Sequence, residues 1–269
     1  MHNLITMNII EAIHARHSVR TFSGEPLQAS VKKALEEAIN NSRSPFEGNV
    51  TMRLASVGIG EEFRPSTYGV IRNALDFLLL GFANDKWSAV SGGFRMEQVV
   101  LEATRLGLGT CWVGGTFKKG SFAKAADLPE GQTLRSILPV GEGARRTGFL
   151  DKILRMAARS YRRRPFGELF FVNNFNTPLP EDGPYAGPLA LMRLAPSATN
   201  SQPWRALVHG NQVDFYYKPG NFSLIDMGIG LCHFDIGCHE ENMTGMFAVN
   251  NLPEPAPEDF EYLISYIQA

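Results

Sequence analysis

Ala195-Pro196-Ser197-Ala198-Thr199-Asn200-Ser201-Gln202-Pro203-Trp204-Arg205 sets five uncharged polar residues between two prolines and a tryptophan. Pro196 and Pro203 each fix a backbone torsion, remove an amide donor and bias the preceding residue toward an extended path. The small residues between them leave room for a flat ligand, and their amides can read its polar edge. An apolar helix at 188–194 leads into the segment and a strand at 206–209 leads out of it. A polar loop held between two rigid elements is where binding residues concentrate.

Downstream, residues 206–209 and 213–217 form two strands joined by a Gly210-Asn211 hairpin turn. A helix opened by Gly228 carries Cys232, His233 and Ile236, and a strand follows at 244–249. Near the other end, Asn8-Ile9-Ile10-Glu11 has capping-box form and opens a helix to about Arg16. Val19-Arg20-Thr21-Phe22 is a short extended piece, closed by Gly24 and Pro26. Val31, Ala34, Leu35, Ala38 and Ile39 form the apolar stripe of a second helix. Strands are expected at 51–57, 76–80, 110–113 and 134–140. Gly92-Gly93 is expected to open a helix that Gly107 and Gly109 end, and a basic helix is expected at 151–161. Gly93 to Thr110 is 17 positions and Gly228 to Thr244 is 16, each a helix followed by a Thr-led apolar strand, the pattern of a degenerate internal duplication.

Bulk properties narrow the function. The chain has 269 residues, 44% hydrophobic, enough to bury a sizeable core. Its formal net charge is −1, so nothing global draws it to nucleic acid or acidic membranes. The basic stretch from Arg145 to Arg164 holds only Phe149 and Tyr161 as aromatics and lacks a recognition module, which argues against nucleic-acid binding. No apolar run reaches the roughly 18–20 residues of a membrane span. Glu11, His14 and Arg16 break the first apolar stretch, so it reads as an amphipathic helix and not a signal peptide. Three cysteines without framework spacing point to reduced thiols and a cytoplasmic location. Cys232-His233 and Cys238-His239 lie too close on one helix to converge on a tetrahedral metal ion, so no metal is expected. Gly107-Leu108-Gly109 and Gly228-Ile229-Gly230 lack the third glycine of a dinucleotide fingerprint.

Arg16-His17-Ser18-Val19-Arg20 supplies two guanidiniums, an imidazole and a hydroxyl at a helix-to-extended junction. The planar fork of arginine suits bidentate phosphate contact, and in an extended chain Ser18 and Arg20 share a face. A solvated helix end would also favour cations.

Arg16-His17-Ser18-Val19-Arg20 resembles the N-terminal flavin-phosphate motif of the nitroreductase-like flavoproteins, and Ala195–Arg205 resembles their second signature nearly residue for residue. The segment from Leu106 to Gly115 is similar to the one beside the flavin's reactive edge, and Arg162-Arg163-Arg164-Pro165 to the closing basic motif. In that family both signatures lie on one copy, and a homodimer shares them across two sites. Here Asn41–Asn49 has lost the second signature, and the region before Pro196 shows no Arg-x-Ser-x-Arg. The chain therefore resembles a single-chain pseudo-dimer with one surviving site.

The resemblance implies an α+β nitroreductase-like fold, with antiparallel or mixed sheets flanked by helices. It implies a first half at 1–165 and a shorter second half at 166–269. It implies FMN as cofactor, with Arg16, Ser18, Arg20 and Arg163 at its phosphate and His17 at the ribityl chain or ring edge. Val113, Gly114 and Gly115 would pass their backbone near the reactive edge; Pro196, Ser197, Ala198 and Asn200 would line the other side, with Gln202 bracing the loop. Hydride would come from NAD(P)H and leave to a small nitroaromatic or quinone-like acceptor in ping-pong order, with no side chain required as acid or base. A monomer is expected. An FMN carrier or sensor without turnover is the alternative.

Overall fold

The computed structural model describes residues 7–57, 65–144, 162–250 and 253–269. The chain divides into two compact units, Met1–Ala158 and Arg159–Ala269.

The first unit begins with α1 (Ile9–Ala15), whose capping box is present: the Asn8 side chain accepts from the Glu11 amide and Glu11 accepts from the Asn8 amide, each at 2.8 Å. It continues through α2 (Ala29–Asn41), β1 (Val50–Ser56), β2 (Asp76–Ala83), α3 (Lys86–Arg105), β3 (Gly109–Thr110), α4 (Ala123–Ala126) and β4 (Gln132–Gly141). The strands form one antiparallel sheet in the order β1-β2-β4-β3. In β2 all but the last residue are buried: Leu78 is paired with Leu54 on one edge and Leu138 on the other, Leu80 and Phe82 pack toward Gly92 of α3 on one face, and Phe77 and Leu79 join Phe122 on the opposite face. Burial on both faces explains why this strand is a continuous apolar run instead of an alternating one.

The second unit contains β5 (Phe170–Val172), β6 (Asn174–Pro178), α5 (Ala186–Leu194), β7 (Trp204–His209), β8 (Gln212–Tyr217), α6 (Ser223–Glu240), β9 (Gly245–Ala248) and β10 (Glu261–Gln268). Its sheet runs β6-β5-β7-β8-β10-β9. The antiparallel core β7-β8-β10-β9 repeats the order β1-β2-β4-β3 of the first unit, and β5 adds to it in parallel with β7. In both units a helix precedes the first of these strands and a long, mostly buried helix links the second to the third.

Three expectations are corrected. Gly92-Gly93 lies inside α3, which starts at Lys86 because the Asp85 carboxylate caps it by accepting from the Ser88 amide at 2.8 Å. The packing there is tight: a Cβ on Gly92 would stand 3.1 Å from Phe82 Cδ1, so a larger residue would make Phe82 shift. Likewise α6 starts at Ser223, not Gly228. The strand expected at 110–113 is only Gly109–Thr110 in ladder form; the chain then leaves β4 and returns for one bridge between Val113 and Ile137. The basic helix expected at 151–161 lies outside the described residues.

Candidate functional site

In the first unit, α1 ends at Arg16 and the chain turns extended, with φ −58 and ψ 124 there. Ser18 bridges Thr110 in parallel, the Val19 amide donates to the Thr110 carbonyl at 2.8 Å, and Thr21 bridges Arg72. The close approach to β3 requires a glycine, since a Cβ on Gly109 would meet Val19 Cγ2 at 2.6 Å. Phe22 then enters the same buried cluster as Val113, Phe122 and Ile137. The segment 16–22 is thus held as an additional strand with a fixed register.

Its side chains divide. His17 is exposed, and its Nδ1 lies 3.1 Å from the Ala15 carbonyl. Ser18 and Arg20 are half-buried. Arg16 turns inward: its side chain is only 7% exposed, and Nε stands 3.9 Å from Glu97 Oε1 on α3. The other Glu97 oxygen accepts from Trp112 Nε1 at 2.9 Å. One fully buried carboxylate therefore ties the 16–20 segment to the segment around Trp112. Burial pulls the Arg16 pKa below its ordinary value, opposed by the Glu97 charge. Arg16 Nε is buried with no hydrogen-bond partner among the described residues.

After Trp112, Val113 exchanges two backbone hydrogen bonds of 3.0 Å with Ile137, so its amide is committed and its side chain is core. The Gly114 and Gly115 amides make no such bond among the described residues. Of the three expected backbone donors, these two retain the capacity to meet a ligand.

The loop of the second unit is more elaborately built. Leaving α5, the chain is extended at Ala195 and Ser197, then winds through a single 3-10 turn, Ala198–Asn200. Thr199, Asn200 and Gln202 have φ of 52, 57 and 49, the left-handed region. Each such non-glycine residue costs on the order of 1 kcal/mol or more and persists only where its surroundings enforce it. Here the enforcement is visible. Ser197 Oγ accepts from the Gln202 amide at 2.9 Å, and the Ser197 carbonyl from the Asn200 amide at 2.9 Å. Buried Gln202 accepts from the Arg164 amide at 2.8 Å and donates to the Asn200 carbonyl at 3.2 Å. Asn200 Nδ2 donates to the Arg162 carbonyl at 2.7 Å and its Oδ1 accepts from Arg163 Nη1 at 3.2 Å, while Arg163 Nη2 donates to the Leu194 carbonyl at 2.9 Å. The basic run 162–164 and the polar loop, separate in sequence, are thus one assembly within this unit.

From the opposite side, Asp226 in the first turn of α6 takes the Ala198 amide on both oxygens, at 3.1 and 3.0 Å. Asp226 is buried, and desolvation pushes its pKa up to about 7 despite that hydrogen bond. Neither Asp226 nor Glu97 stands out as a site residue from sequence motifs. For Asp226 the signal was a lone carboxylate inside an apolar stretch, Ile225-Asp226-Met227; Glu97, between Met96 and Gln98, carried no such signal. The residues at 41–49, where the first unit would carry the same loop, serve as structural braces: Asn49 accepts from Gln132 Nε2 at 2.6 Å and its amide donates to Ser88 Oγ at 2.8 Å. His233 is buried with Nδ1 3.1 Å from the Leu191 carbonyl, and among the described residues no three His, Cys, Asp or Glu side chains cluster as metal ligands.

One solved structure shares this architecture over nearly the whole chain. A crystal structure of a putative nitroreductase from Thermotoga maritima MSB8 aligns over 99% of this chain and 96% of its own, with TM-score 0.64 and 22% identity. A nitroreductase with bound FMN from Bacteroides fragilis NCTC 9343 covers 54% of this chain and 92% of its own, with TM-score 0.41 and 17% identity. A nitroreductase family protein from Clostridium difficile 630 covers 60% and 96%, with TM-score 0.45 and 16% identity. No protein of curated function is significantly similar to this chain. Residues 8–238 match the family model described as "Putative TM nitroreductase", and the chain belongs to that family.

Proposed function

We propose that the protein is an FMN-dependent oxidoreductase that binds one FMN per chain. The observation that carries the reading is the loop at 195–203, locked in left-handed conformations by Gln202, Asn200 and Asp226 around small residues. Such strain is kept where a ligand is to be met. The residues fit a flavin in two further respects. The Gly114 and Gly115 amides are uncommitted, and Arg16 Nε is buried without a hydrogen-bond partner among the described residues.

In this reading Arg16, Ser18 and Arg20 hold the phosphate, Arg163 adds positive charge, and His17 meets the ribityl chain or ring edge. Pro196, Ser197, Ala198 and Asn200 line the ring, and Gln202 holds the loop without touching the cofactor. Glu97 orients Arg16 through the ion pair already described. Gly114 and Gly115 direct donors at the ring edge, where an oriented amide stabilises developing negative charge. When bound, FMN would supply two-electron redox chemistry, with NAD(P)H as the reductant, a nitroaromatic or quinone-like compound as the acceptor, and ping-pong order. The single site follows from the complementary loss of motifs between the halves 1–165 and 166–269.

The test is the visible spectrum of the purified protein and of the protein reconstituted with excess FMN. One FMN per chain, bleached anaerobically by NADH or NADPH, is the expected result. Saturation near two would refute the single site, absence of flavin binding would refute the enzyme, and binding without reduction would leave a carrier or sensor.

A further inference from the structure

The second unit contains a cavity of about 350 Å³ beside the loop, within the size range of small-molecule sites. Ala198 and Thr199 border it, so it adjoins the residues assigned above to the flavin ring. Its lining combines aromatic surface from Phe222 and Phe260 with the cations Arg164, Arg205 and Lys218; Asp226 is the one carboxylate among the lining residues.

The cations are not equivalent. Lys218 lies 3.1 Å from Asp259 and Arg164 lies 3.7 Å from Glu168, in pairs with exposed side chains. Exposed pairs of this kind hold their partners weakly. Arg205 forms no salt bridge within 4 Å among the described residues, and the charge of Glu168 acts on it only as a minor influence. Its guanidinium lies over the Phe260 ring at 4.7 Å, and Nη1 donates to the Trp204 carbonyl at 2.7 Å. Burial first, then the Arg164 charge, lower its pKa to about 10 against the opposing charge of Glu168, which still leaves it protonated at neutral pH. A guanidinium offers five N–H donors in a rigid fork. Here a ring and a carbonyl hold the fork in place, and most of its donors remain for something else. An oxyanion is the partner that such a fork takes in bidentate fashion.

We infer that this cavity recognises the oxyanion of a small organic anion, a carboxylate or a phosphate ester, through Arg205. Lys218 and Arg164 supply further positive charge, and Phe222 and Phe260 pack the organic body. The inference deepens the flavin reading: beside the flavin, such a ligand is either an acceptor bearing a carboxylate or the phosphate-bearing part of the nicotinamide reductant.

Isothermal titration calorimetry on the full chain tests it directly, with 4-nitrobenzoate, with 2′,5′-ADP, and with neutral 4-nitrobenzamide as the control. At least one anion should bind the native protein, and Arg205→Gln should weaken it about ten- to a hundredfold, the loss of one charge-assisted contact. Arg205→Lys, which keeps the charge but loses the fork, should fall between the two. The weak binding of 4-nitrobenzamide should not change. Binding of 4-nitrobenzoate assigns the acceptor, and binding of 2′,5′-ADP assigns the reductant. If neither anion binds, or if Arg205→Gln binds as well as the native protein, the inference is overturned. Flavin content and thermal melting measured on the same samples separate the two readings. Flavin-loaded native protein without anion binding would remove the pocket alone; Arg205-dependent anion binding in a chain that takes up no flavin would remove the flavin reading alone.

Discussion

Asp226 is a carboxyl that the fold would rather keep neutral. It sits buried at the start of α6, where among the described residues only the Ala198 amide donates to it, and its pKa is pushed up to about 7 by desolvation. Because the folded value lies above the unfolded value of about 4, the folded chain retains a proton that the unfolded chain releases. The stability it contributes is complete below pH 4 and is lost as the pH rises through 7. The full difference is on the order of 4 kcal/mol. Asp226→Asn keeps an acceptor for the Ala198 amide but cannot ionise. It should raise the melting temperature at pH 8 well above that of the native chain, and much less at pH 5. Equal gains at both pH values would show that Asp226 does not ionise in this range. Neither Asp226 nor Glu97 was legible as a partner in the sequence. Asp226 is visible as a carboxylate in an apolar run and Glu97 is not, but what each holds lies far along the chain: 28 residues for Asp226 and Ala198, 15 for Glu97 and Trp112.

At the scale of elements, legibility followed local chemistry. The capping box of α1, the stripe of α2 and the hairpin between β7 and β8 could be read because caps, periodicity and tight turns are short-range. The starts of α3 and α6 could not be read from their glycines. These residues punctuate many loops, but Gly230 and Gly237 admit neighbours instead: a Cβ on Gly237 would stand 2.6 Å from Pro188 Cα on α5. The loop and the 16–20 segment were recognisable as motifs, while their bracing by Arg162–Arg164 and Glu97 was not. That bracing changes the choice of mutants. Ser197→Arg would cost the Gln202 amide its acceptor, so Ala198→Arg is the cleaner steric block. It should abolish flavin binding in a folded protein, and Arg20→Ala should weaken binding about ten- to a hundredfold. Asn49→Arg, at the matching place in the first unit, should leave flavin affinity unchanged in fluorescence titrations. The reverse pattern would mean that the assignment of the two segments is wrong.

At the scale of the molecule, the two units repeat one strand order within a single polypeptide. A chain that supplies both halves of the proposed flavin site should bind flavin as a monomer. Light scattering on the reconstituted protein should give a mass near 29.7 kDa, with flavin retained at concentrations too low for association. A mass twice that, with flavin lost on dilution, would refute it. Among the described residues no helix is long and apolar enough to cross a membrane.

The repeated strand order has a further consequence for how the protein can change. In an assembly of identical chains every mutation arrives in each copy, so an alteration that helps one role and harms another cannot be kept on one side only. Here each half has its own codons. Residues 41–49 brace α3 while 195–203 carry small polar side chains, and a change at one place does not entail a change at the other. Specialisation of one half then carries no obligatory cost in the other, and the halves are free to drift in sequence while their strand order stays the same.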